Sequence, residues 1–437
     1  MDKLHLLDEI NKYPLLNPIR LHMPGHKGKL DGVLKSISEI DVTELNGNKV
    51  VSATEKAEED IKNIYGAKYC KILSNGATGG ILSAVYAVKK LGDKMIINRT
   101  AHKSVYNALR LMNIEPIIID ADEDLVKQTE TALLLNPTAI GALFTYPDYF
   151  GRIFDCKGVK AVLKKAGKLL LLDNAHGAHI RFTAPEIYAG EFADIWVDSA
   201  HKTLPALNQS AMVFCSNAKL INNLEEGVET FSTTSPCYPL LASVEYGVKF
   251  MDSEWKKLKR AFESNRNDLK VLICQLGVNV LDGNDIFKMT LDFSSLNLDG
   301  FSVEKALIKQ GIYPELTDSN RILFMFSALT NREDFKKTYT AVKHAVSVAS
   351  QLKVNGKANK VSTERVMPYL TAINKECEYI KLKSAVGKIS ADNVGVFPPC
   401  YPLLTAGEKI TNEIVEILIS SEYTFGINDG KIKAVKE

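Results

Sequence analysis

Hydrophobic residues are distributed unevenly along the chain, and their most regular pattern begins near residue 67. Short runs of consecutive apolar residues alternate there with amphipathic segments that end at glycine, which is typical of buried strands alternating with helices. Because such strands need cover on both faces, we predict an α/β fold with a mostly parallel sheet between two layers of helices. The predicted strands occupy residues 69–73, 95–97, 116–120, 139–146, 169–172, 195–197 and 211–214.

The segment before this regular stretch has a different pattern. Three prolines, at positions 14, 18 and 24, interrupt residues 1–50. The run Leu21–Gly28 excludes a regular helix or a central strand. We therefore predict that residues 1–50 form an irregular N-terminal arm that lines a site or contacts a second subunit, with a packed surface loop as the alternative.

The pattern also divides the rest of the chain. Residues 51–270 hold the alternating strands and helices, so we predict a large domain there. Shorter strands and helices follow Gly277, and they predict a smaller α+β region over residues 271–437. A polar segment near residues 354–361 is the predicted linker inside that region.

Composition narrows the classes of function. The formal charge of the 437 residues is +2, which gives no reason to expect a nucleic-acid partner. No apolar run approaches the roughly 18 residues of a membrane span, so we expect no membrane contact. Seven cysteines, odd in number and without a C-x-x-C pair, indicate reduced thiols in a cytoplasmic protein rather than disulfides or a metal site.

Residues with reactive side chains follow several of the predicted strands. In an open parallel sheet the chemistry belongs at the carboxyl ends of the strands, where these side chains would meet. Six of the eight histidines lie in glycine-, proline- or hydroxyl-rich segments, and we expect most of them to share one site. The residues at predicted strand ends are Ser74, His102, Asp173, His176 and Lys202, and the six histidines are 22, 26, 102, 176, 179 and 201.

Lys202 is the strongest candidate for a catalytic residue. It follows the apolar strand at 195–197, and its amine can form a Schiff base with an aldehyde cofactor while Ser199 and His201 bind a phosphate. Taken by itself, the segment is equally compatible with one solvated lysine among the 54 lysines and arginines.

Three further features fit a phosphorylated aldehyde cofactor. The turn Ser74–Gly80 precedes a predicted helix over Ile81–Leu91, and a small-residue turn that opens a helix binds anions, although tight packing explains its glycines equally well. Asp173 can keep the nitrogen of a pyridine ring protonated, and His102 can stack on the ring. Separately Asp173 is compatible with a turn cap and His102 with a core histidine, but their joint position at strand ends favours the cofactor site.

With these motifs, the chain resembles the Orn/Lys/Arg decarboxylase family of fold type I pyridoxal-phosphate enzymes, and specifically its short members without an N-terminal wing domain. The most specific elements are the Ser-x-His-Lys motif at Ser199–Lys202 and the Asp-x-Ala-His-Gly-Ala-His motif at Asp173–His179. The resemblance extends over Leu21–Gly28, Asp41–Leu45, Ser74–Gly80, His102–Ser104, Thr233–Tyr238, Gly387–Asp392 and Phe397–Glu408.

The resemblance implies a role for each site residue. Lys202 would carry pyridoxal 5'-phosphate, Asp173 would pair with the ring nitrogen and His102 would stack on the ring. His176 would lie close to the ring. The phosphate would be held by Ser199, His201, Gly76, Ala77 and Thr78. The family also implies a homodimer or higher homo-oligomer with shared active sites, to which Thr234–Tyr238 and residues 22–45 of the arm would contribute.

Several positions depart from the family pattern. The phosphate turn reads Gly76-Ala77-Thr78, which lacks one hydroxyl donor. Asn46–Lys49 replaces the usual Leu-Asp sequence, and Phe397–Pro402 replaces Tyr-Pro-Pro-Gly-Ile-Pro.

The expected reaction is decarboxylation of arginine, lysine or ornithine to a polyamine-type amine, with a carboxylate that binds the distal cation of the substrate. Two other readings stay open: a fold type I aminotransferase or aldolase that holds the substrate carboxylate with an arginine, and a cofactor-binding protein that has lost decarboxylation. The candidate carboxylates are Glu44, Asp148, Glu315, Asp392 and Glu408, and the candidate arginines are Arg99, Arg152 and Arg181.

Overall fold

The computed structural model describes residues 3–44, 48–120, 124–351, 363–396, 401–421 and 423–436. The predicted linker near 354–361 lies outside these residues, as do Asn46 and Gly47 of one departure and residues 397–400 of the other. The boundaries of the arm and of the two predicted domains stay predictions.

The N-terminal arm is more regular than the prolines indicated. It contains helix α1 (His5–Lys12) and helix α2 (Lys35–Ile40), with turns and irregular backbone over 21–28 as predicted. The prediction of an irregular arm is therefore wrong for α1, whose Leu6 and Ile10 are fully buried. The carboxylate of Glu245, far along the chain, accepts hydrogen bonds from the backbone N–H groups of His5 and Leu6 and so caps this helix.

The central sheet confirms the predicted α/β class. Among the described residues its order is β1-β7-β6-β5-β4-β2-β3, in which β7 alone runs antiparallel to its neighbours. Leu171 packs into the core on one face, while Leu170 and Leu172 pack into the core on the other, so both faces are buried. The strands are β1 (Tyr69–Leu73), β2 (Lys94–Asn98), β3 (Glu115–Ile119), β4 (Gly141–Thr145), β5 (Leu169–Asp173), β6 (Ile195–Asp198) and β7 (Ala211–Cys215).

Helices cover both faces of this sheet. They are α3 (Val50–Tyr65), α4 (Gly76–Val88), α5 (Lys103–Leu111), α6 (Leu125–Leu135), α7 (Cys156–Lys165), α8 (Ile180–Thr183), α9 (Ala200–Thr203) and α10 (Ile221–Phe231). Helix α4 begins at Gly76 rather than at the predicted Ile81, so most of the small-residue turn is the first turn of the helix. The glycines are tolerated there because they are needed for packing: a Cβ atom at Gly80 would lie 2.5 Å from a methyl group of Val197 on β6.

A second layer of structure follows the long helix α11 (Tyr238–Cys274). The described residues there form a four-stranded antiparallel sheet in the order β10-β11-β9-β8, packed against helices. Its elements are β8 (Asn279–Leu281), β9 (Lys288–Asp292), α12 (Gly300–Lys309), β10 (Leu316–Thr317), β11 (Arg321–Met325) and α13 (Arg332–Val348).

The C-terminal segment forms a separate small layer that contacts the central sheet. The carboxylate of Glu115, at the start of β3, accepts hydrogen bonds from the backbone N–H groups of Tyr369 and Leu370. Within the described part of the chain, no helix is long and apolar enough to cross a membrane. The elements are α14 (Tyr369–Asn374), β12 (Cys377–Lys381), β13 (Gly395–Val396), α15 (Asn412–Ser420), β14 (Thr424–Phe425), β15 (Ile427–Asn428) and β16 (Lys431–Val435).

Candidate active site

A cavity of about 540 Å³ opens at the carboxyl ends of the central strands. Its size is that of a site for a small molecule or cofactor. Ten of the predicted residues line it: Gly76, Ala77, Thr78, His102, Asp148, Asp173, His176, Ser199, His201 and Lys202. The sheet topology explains why residues so far apart in the chain meet there, since each follows a strand that ends at the same edge.

Lys202 lies in the short helix α9, directly after β6, and its amine reaches into the cavity. The Nζ atom is 3.0 Å from Nε2 of His176. A lysine ammonium only donates hydrogen bonds, so the contact requires a neutral His176 that accepts at Nε2. Burial, together with the charges of Lys288 and Lys202, holds the pKa of His176 well below its usual range, which agrees with the neutral form.

Asp173 ends β5 and is only 3% exposed. One carboxylate oxygen accepts a hydrogen bond from the backbone N–H of Ala175, and the side chain lines the cavity. Burial raises the pKa of Asp173, while the positive charge of Lys202 acts in the opposite direction. A buried carboxylate in this position is suited to a cationic N–H group in the cavity, because a partner of that kind offsets its desolvation.

His102 precedes helix α5 and caps it. Its Nδ1 atom accepts a hydrogen bond from the backbone N–H of Ser104 at 3.2 Å and lies 2.9 Å from the Ser104 hydroxyl. Burial, followed by the charge of Lys202, lowers the pKa of His102 to about 4, so the ring is neutral at physiological pH. A fixed, neutral imidazole in the wall of the cavity is suited to stacking on a flat ring.

Another part of the cavity wall is suited to an anion. No side chain caps helix α4, so the first-turn N–H groups at Ala77 and Thr78 lack an intrahelical acceptor and lie at the cavity. Gly76 has a φ of +73°, which favours glycine at the start of this turn. His201 lies beside them, and its Nδ1 contacts the carbonyl oxygen of Ser210 at 2.9 Å and the hydroxyl of Ser199 at 3.2 Å.

These groups together fit pyridoxal phosphate. The cavity contains an amine that can react with the aldehyde, a buried acid that can pair with the pyridine nitrogen, and an uncapped helix N-terminus that can bind the phosphate. Two buried polar atoms of the cavity wall, Oγ1 of Thr145 and Nδ1 of His176, have no hydrogen-bond partner within the described residues, as expected where a ligand completes the wall.

The candidate carboxylates for the substrate are spread over several places. Asp148 lines the cavity, where it pairs with the guanidinium of Arg152. Glu44 accepts a hydrogen bond from the hydroxyl of Tyr238 beside a separate cavity of about 170 Å³. Glu315 lies at the surface and accepts a hydrogen bond from the hydroxyl of Tyr149.

The remaining two candidate carboxylates have structural partners. Glu408 is 1% exposed and binds the guanidinium groups of Arg99 and Arg365. Asp392 accepts a hydrogen bond from the backbone N–H of Asn393 in a turn. Neither one lies in the wall of the main cavity as the described residues define it.

The candidate arginines are also committed to partners. Arg99 forms two hydrogen bonds with the carboxylate of Glu408. Arg181 donates to the carbonyl of Ile64, outside the main cavity. Arg152 alone of the three lines that cavity, and it pairs with Asp148.

Sequence reasoning missed two residues of the site. The ring of Tyr149 lies 4.6 Å from the ring of His176, between centroids, and Thr145 ends β4 beside Asp173 in the strand register. Thr145 was predicted as part of a strand, and its position at the strand end was the available signal. Tyr149 had no signal, because its place depends on how the loop after β4 folds.

The histidines share the site less than expected. His102, His176 and His201 line the cavity, which is half of the six rather than most of them. The other three have partners elsewhere: His22 contacts the hydroxyl of Tyr13, His26 the carboxylate of Asp41, and His179 the carboxylate of Asp285.

Two family models match the chain, the major domain of Orn/Lys/Arg decarboxylases over residues 37–276 and their C-terminal domain over residues 348–423. The Bacillus subtilis proteins YaaO and arginine decarboxylase are each 28% identical to the chain, over 92% and 94% of its length and 91% and 92% of their own.

Solved structures share the fold at lower identity. The lysine decarboxylase LdcF of Francisella novicida has a TM-score of 0.83 at 19% identity, covering 99% of this chain and 81% of its own. A serine palmitoyltransferase of Sphingomonas wittichii has a TM-score of 0.57 at 18% identity, over 70% of this chain and 79% of its own. The major-domain match alone spans more than half of the 437 residues. The chain therefore belongs to the Orn/Lys/Arg decarboxylase family, as its motifs predicted.

Proposed function

We propose that this protein uses pyridoxal phosphate to decarboxylate a basic amino acid, namely arginine, lysine or ornithine, with Lys202 as the residue that carries the cofactor. The observation that carries this proposal is the shared cavity of Lys202, neutral His176 and buried Asp173, which the uncapped end of α4 also lines. When bound, the cofactor supplies an aldehyde that joins an amine and a ring that accepts the electrons released when carbon dioxide leaves.

The residues of the chain supply the rest of the chemistry. Asp173 holds a proton at the ring nitrogen, because a buried carboxylate stabilises a cation at that atom. His102 holds the ring in place by stacking, and Ser199, His201 and the turn Gly76–Thr78 hold the phosphate. Once the substrate amine has displaced Lys202, either the Lys202 amine or His176 delivers the proton that replaces the lost carboxylate at the α-carbon.

Asp148 is the best-placed carboxylate for the distal cation of the substrate. It lines the cavity, and its carboxylate already pairs with the guanidinium group of the exposed Arg152, the kind of cation that arginine would bring. Glu44 and Glu315 remain weaker candidates, because neither lines the main cavity within the described residues. Substitution of Asp148 by Asn is expected to raise KM more than it lowers kcat.

The arginines favour decarboxylation over amino transfer. An enzyme that keeps the substrate carboxylate needs an arginine available in the cavity, and Arg99 and Arg181 are bound to other groups outside it. Arg152 is the exception, and in the structure it faces the carboxylate of Asp148.

We also infer a homodimer or higher homo-oligomer in the cytoplasm. The arm has large apolar side chains that are 73–92% exposed, namely Leu15, Leu16, Ile19, Leu21 and Val33. Apolar patches of this kind mark interfaces. The six described cysteines are all unpaired, which supports a reducing compartment. Light scattering of the purified protein tests the assembly, and a monomer would exclude it.

The function is tested with purified protein, pyridoxal phosphate and each of the three amino acids in turn. Decarboxylation predicts carbon dioxide and amine in equal amounts without keto acid. Keto acid without carbon dioxide would identify an aminotransferase instead. If carbon dioxide and keto acid are both absent while the protein shows the normal visible absorption of the bound cofactor, the protein binds the cofactor but has lost the reaction.

A further inference from the structure

Lys288 is a buried lysine that the proposed reaction does not use. It begins β9 in the second sheet and is only 2% exposed. Its Nζ atom donates hydrogen bonds to the carbonyl oxygens of Asp148, at 3.2 Å, and Tyr149, at 2.8 Å. Burial lowers the pKa of Lys288 to about 8, with the carboxylate of Asp285 acting in the opposite direction, so the side chain is mainly charged at neutral pH.

The two carbonyl groups belong to the loop Asp148–Gly151, between β4 and α7, which we call the 148–151 loop. The loop packs closely on the second sheet: a Cβ atom at Gly151 would lie 3.1 Å from Cδ of Lys288 and 2.7 Å from Cβ of Asp285. Side-chain donors that bind consecutive carbonyl groups fix the course of a backbone. Lys288 thereby connects the second sheet to a wall of the active-site cavity.

The loop in turn positions the ring of Tyr149. The centroid of that ring lies 4.6 Å from the centroid of the His176 ring. The ammonium group of Lys288 lies over the Tyr149 ring, 5.9 Å from its centroid, in a cation–π arrangement. His176 contacts the Lys202 amine at 3.0 Å. A continuous series of contacts therefore runs from Lys288 through the loop and Tyr149 to the reactive lysine.

The titratable groups around His176 lie on several elements. Lys288 on β9, Lys202 on α9, His102 before α5 and His179 after β5 all disfavour a second proton on its ring. Asp173 is the acid that ends β5, three residues before His176. Of the other acids nearby, Asp285 is 2.6 Å from His179, Asp148 on the 148–151 loop pairs with Arg152, and Glu315 accepts a hydrogen bond from the hydroxyl of Tyr149.

We propose that Lys288 is a positioning residue: it holds the 148–151 loop so that Tyr149 packs on a neutral His176, which accepts a hydrogen bond from Lys202. This rests on the proposed function for the roles of Lys202 and His176. The direction of the pKa of His176, which is lowered by burial and then by Lys288, agrees with it.

The substitution Lys288→Met tests the proposal, because it keeps the apolar stem and removes the charge and the donors. In the apoprotein, hydrogen exchange over residues 146–154 is expected to become at least several-fold faster. In the holoenzyme, kcat is expected to fall by roughly 10- to 100-fold. The acid-side inflection of the pH profile is expected to move to higher pH, because His176 then binds a proton more readily.

The surface variant Lys309→Met is the matched control, since Lys309 is exposed on α12, and it should leave all three quantities at their wild-type values. A role limited to stability would lower the melting temperature of Lys288→Met without moving the inflection. Wild-type exchange and a wild-type inflection in Lys288→Met would likewise overturn the proposal.

A measurement on the wild-type apoprotein covers the case in which Lys288→Met does not fold. Nitrogen-15 spectra of labelled histidine, with the signal of residue 176 identified from His176→Gln, report its protonation directly. His176 is expected to stay neutral, with Nε2 unprotonated, at pH values well below the ordinary pKa of a histidine. Titration near the ordinary value of about 6.5 would overturn the proposal. Neither this measurement nor the exchange experiment needs turnover, so each can fail independently of the proposed function.

Discussion

At the scale of single residues, the site depends on a small number of charges placed where water is largely excluded. Lys202 and Lys288 are the cations around His176, and Asp173 is the acid at the same strand end. Each charge acts on its neighbours more strongly than it would in water, because the local dielectric is low. Small changes of charge at these positions should therefore have large effects on the reaction.

Substitution of Asp173 by Asn tests this at the residue that we propose to face the ring nitrogen. The amide has the same shape but cannot stabilise a positive charge, so kcat is expected to fall by about 10²- to 10³-fold. Lys202 remains in place, so the visible absorption of the bound cofactor should persist. Stopped-time assays with saturating substrate give kcat, and Asp299→Asn, at the cap of α12, is the control. An unchanged kcat in Asp173→Asn would remove this residue from the mechanism.

At the scale of the elements, we propose that helix α4 provides the anion site and that the strand ends provide the reactive groups. The strands were predictable because each is a short apolar run followed by polar or small residues. The start of α4 at Gly76 was not predictable, because a segment rich in glycine indicates a turn. Only the structure shows that these glycines belong to a helix, where Gly80 packs on Val197. Helix α1 was missed although Leu6 and Ile10 have helical spacing, because the cap comes from Glu245, about 240 residues away.

The missing hydroxyl group at Ala77 gives a prediction for this helix. Ala77 is partly buried at the cavity in the first turn of α4. Substitution by Ser adds a donor beside the expected phosphate, which should stabilise the bound cofactor by about 1 kcal/mol, or roughly fivefold in Kd. Equilibrium titration of the apoprotein with pyridoxal phosphate measures the change. Weaker binding in Ala77→Ser would place the phosphate elsewhere.

At the scale of the whole molecule, three layers meet around one site. The second sheet connects to the cavity wall through Lys288, and the C-terminal layer is joined through Glu408 to Arg99, three residues before the cavity residue His102. Neither connection could be predicted from the sequence. The partners of Lys288 are backbone carbonyl groups, which have no sequence signature, and Arg99 and Glu408 are 309 residues apart in the chain.

Substitutions in the Arg99–Glu408 pair should show how much this connection contributes to stability. Arg99→Ala removes a positive charge that offsets the desolvation of the almost fully buried Glu408 carboxylate. The free energy of unfolding is therefore expected to fall by about 3 kcal/mol. Glu408→Gln should cost less, because the amide leaves no buried charge. Urea unfolding measures both, and the surface-pair variant Lys257→Ala should change stability by less than about 1 kcal/mol. Equal stability of Arg99→Ala and Lys257→Ala would contradict a structural role for the pair.

The central claim is that Lys202, rather than any other lysine, carries the cofactor. Borohydride reduction of the holoenzyme makes the bond between the cofactor and its lysine permanent, and peptide mapping by mass spectrometry then identifies the modified residue. The expected result is one pyridoxyl group per chain, at Lys202, and loss of both the label and the visible absorption in Lys202→Ala. A label at Lys288 or at any other lysine, or visible absorption that persists in Lys202→Ala, would contradict the account.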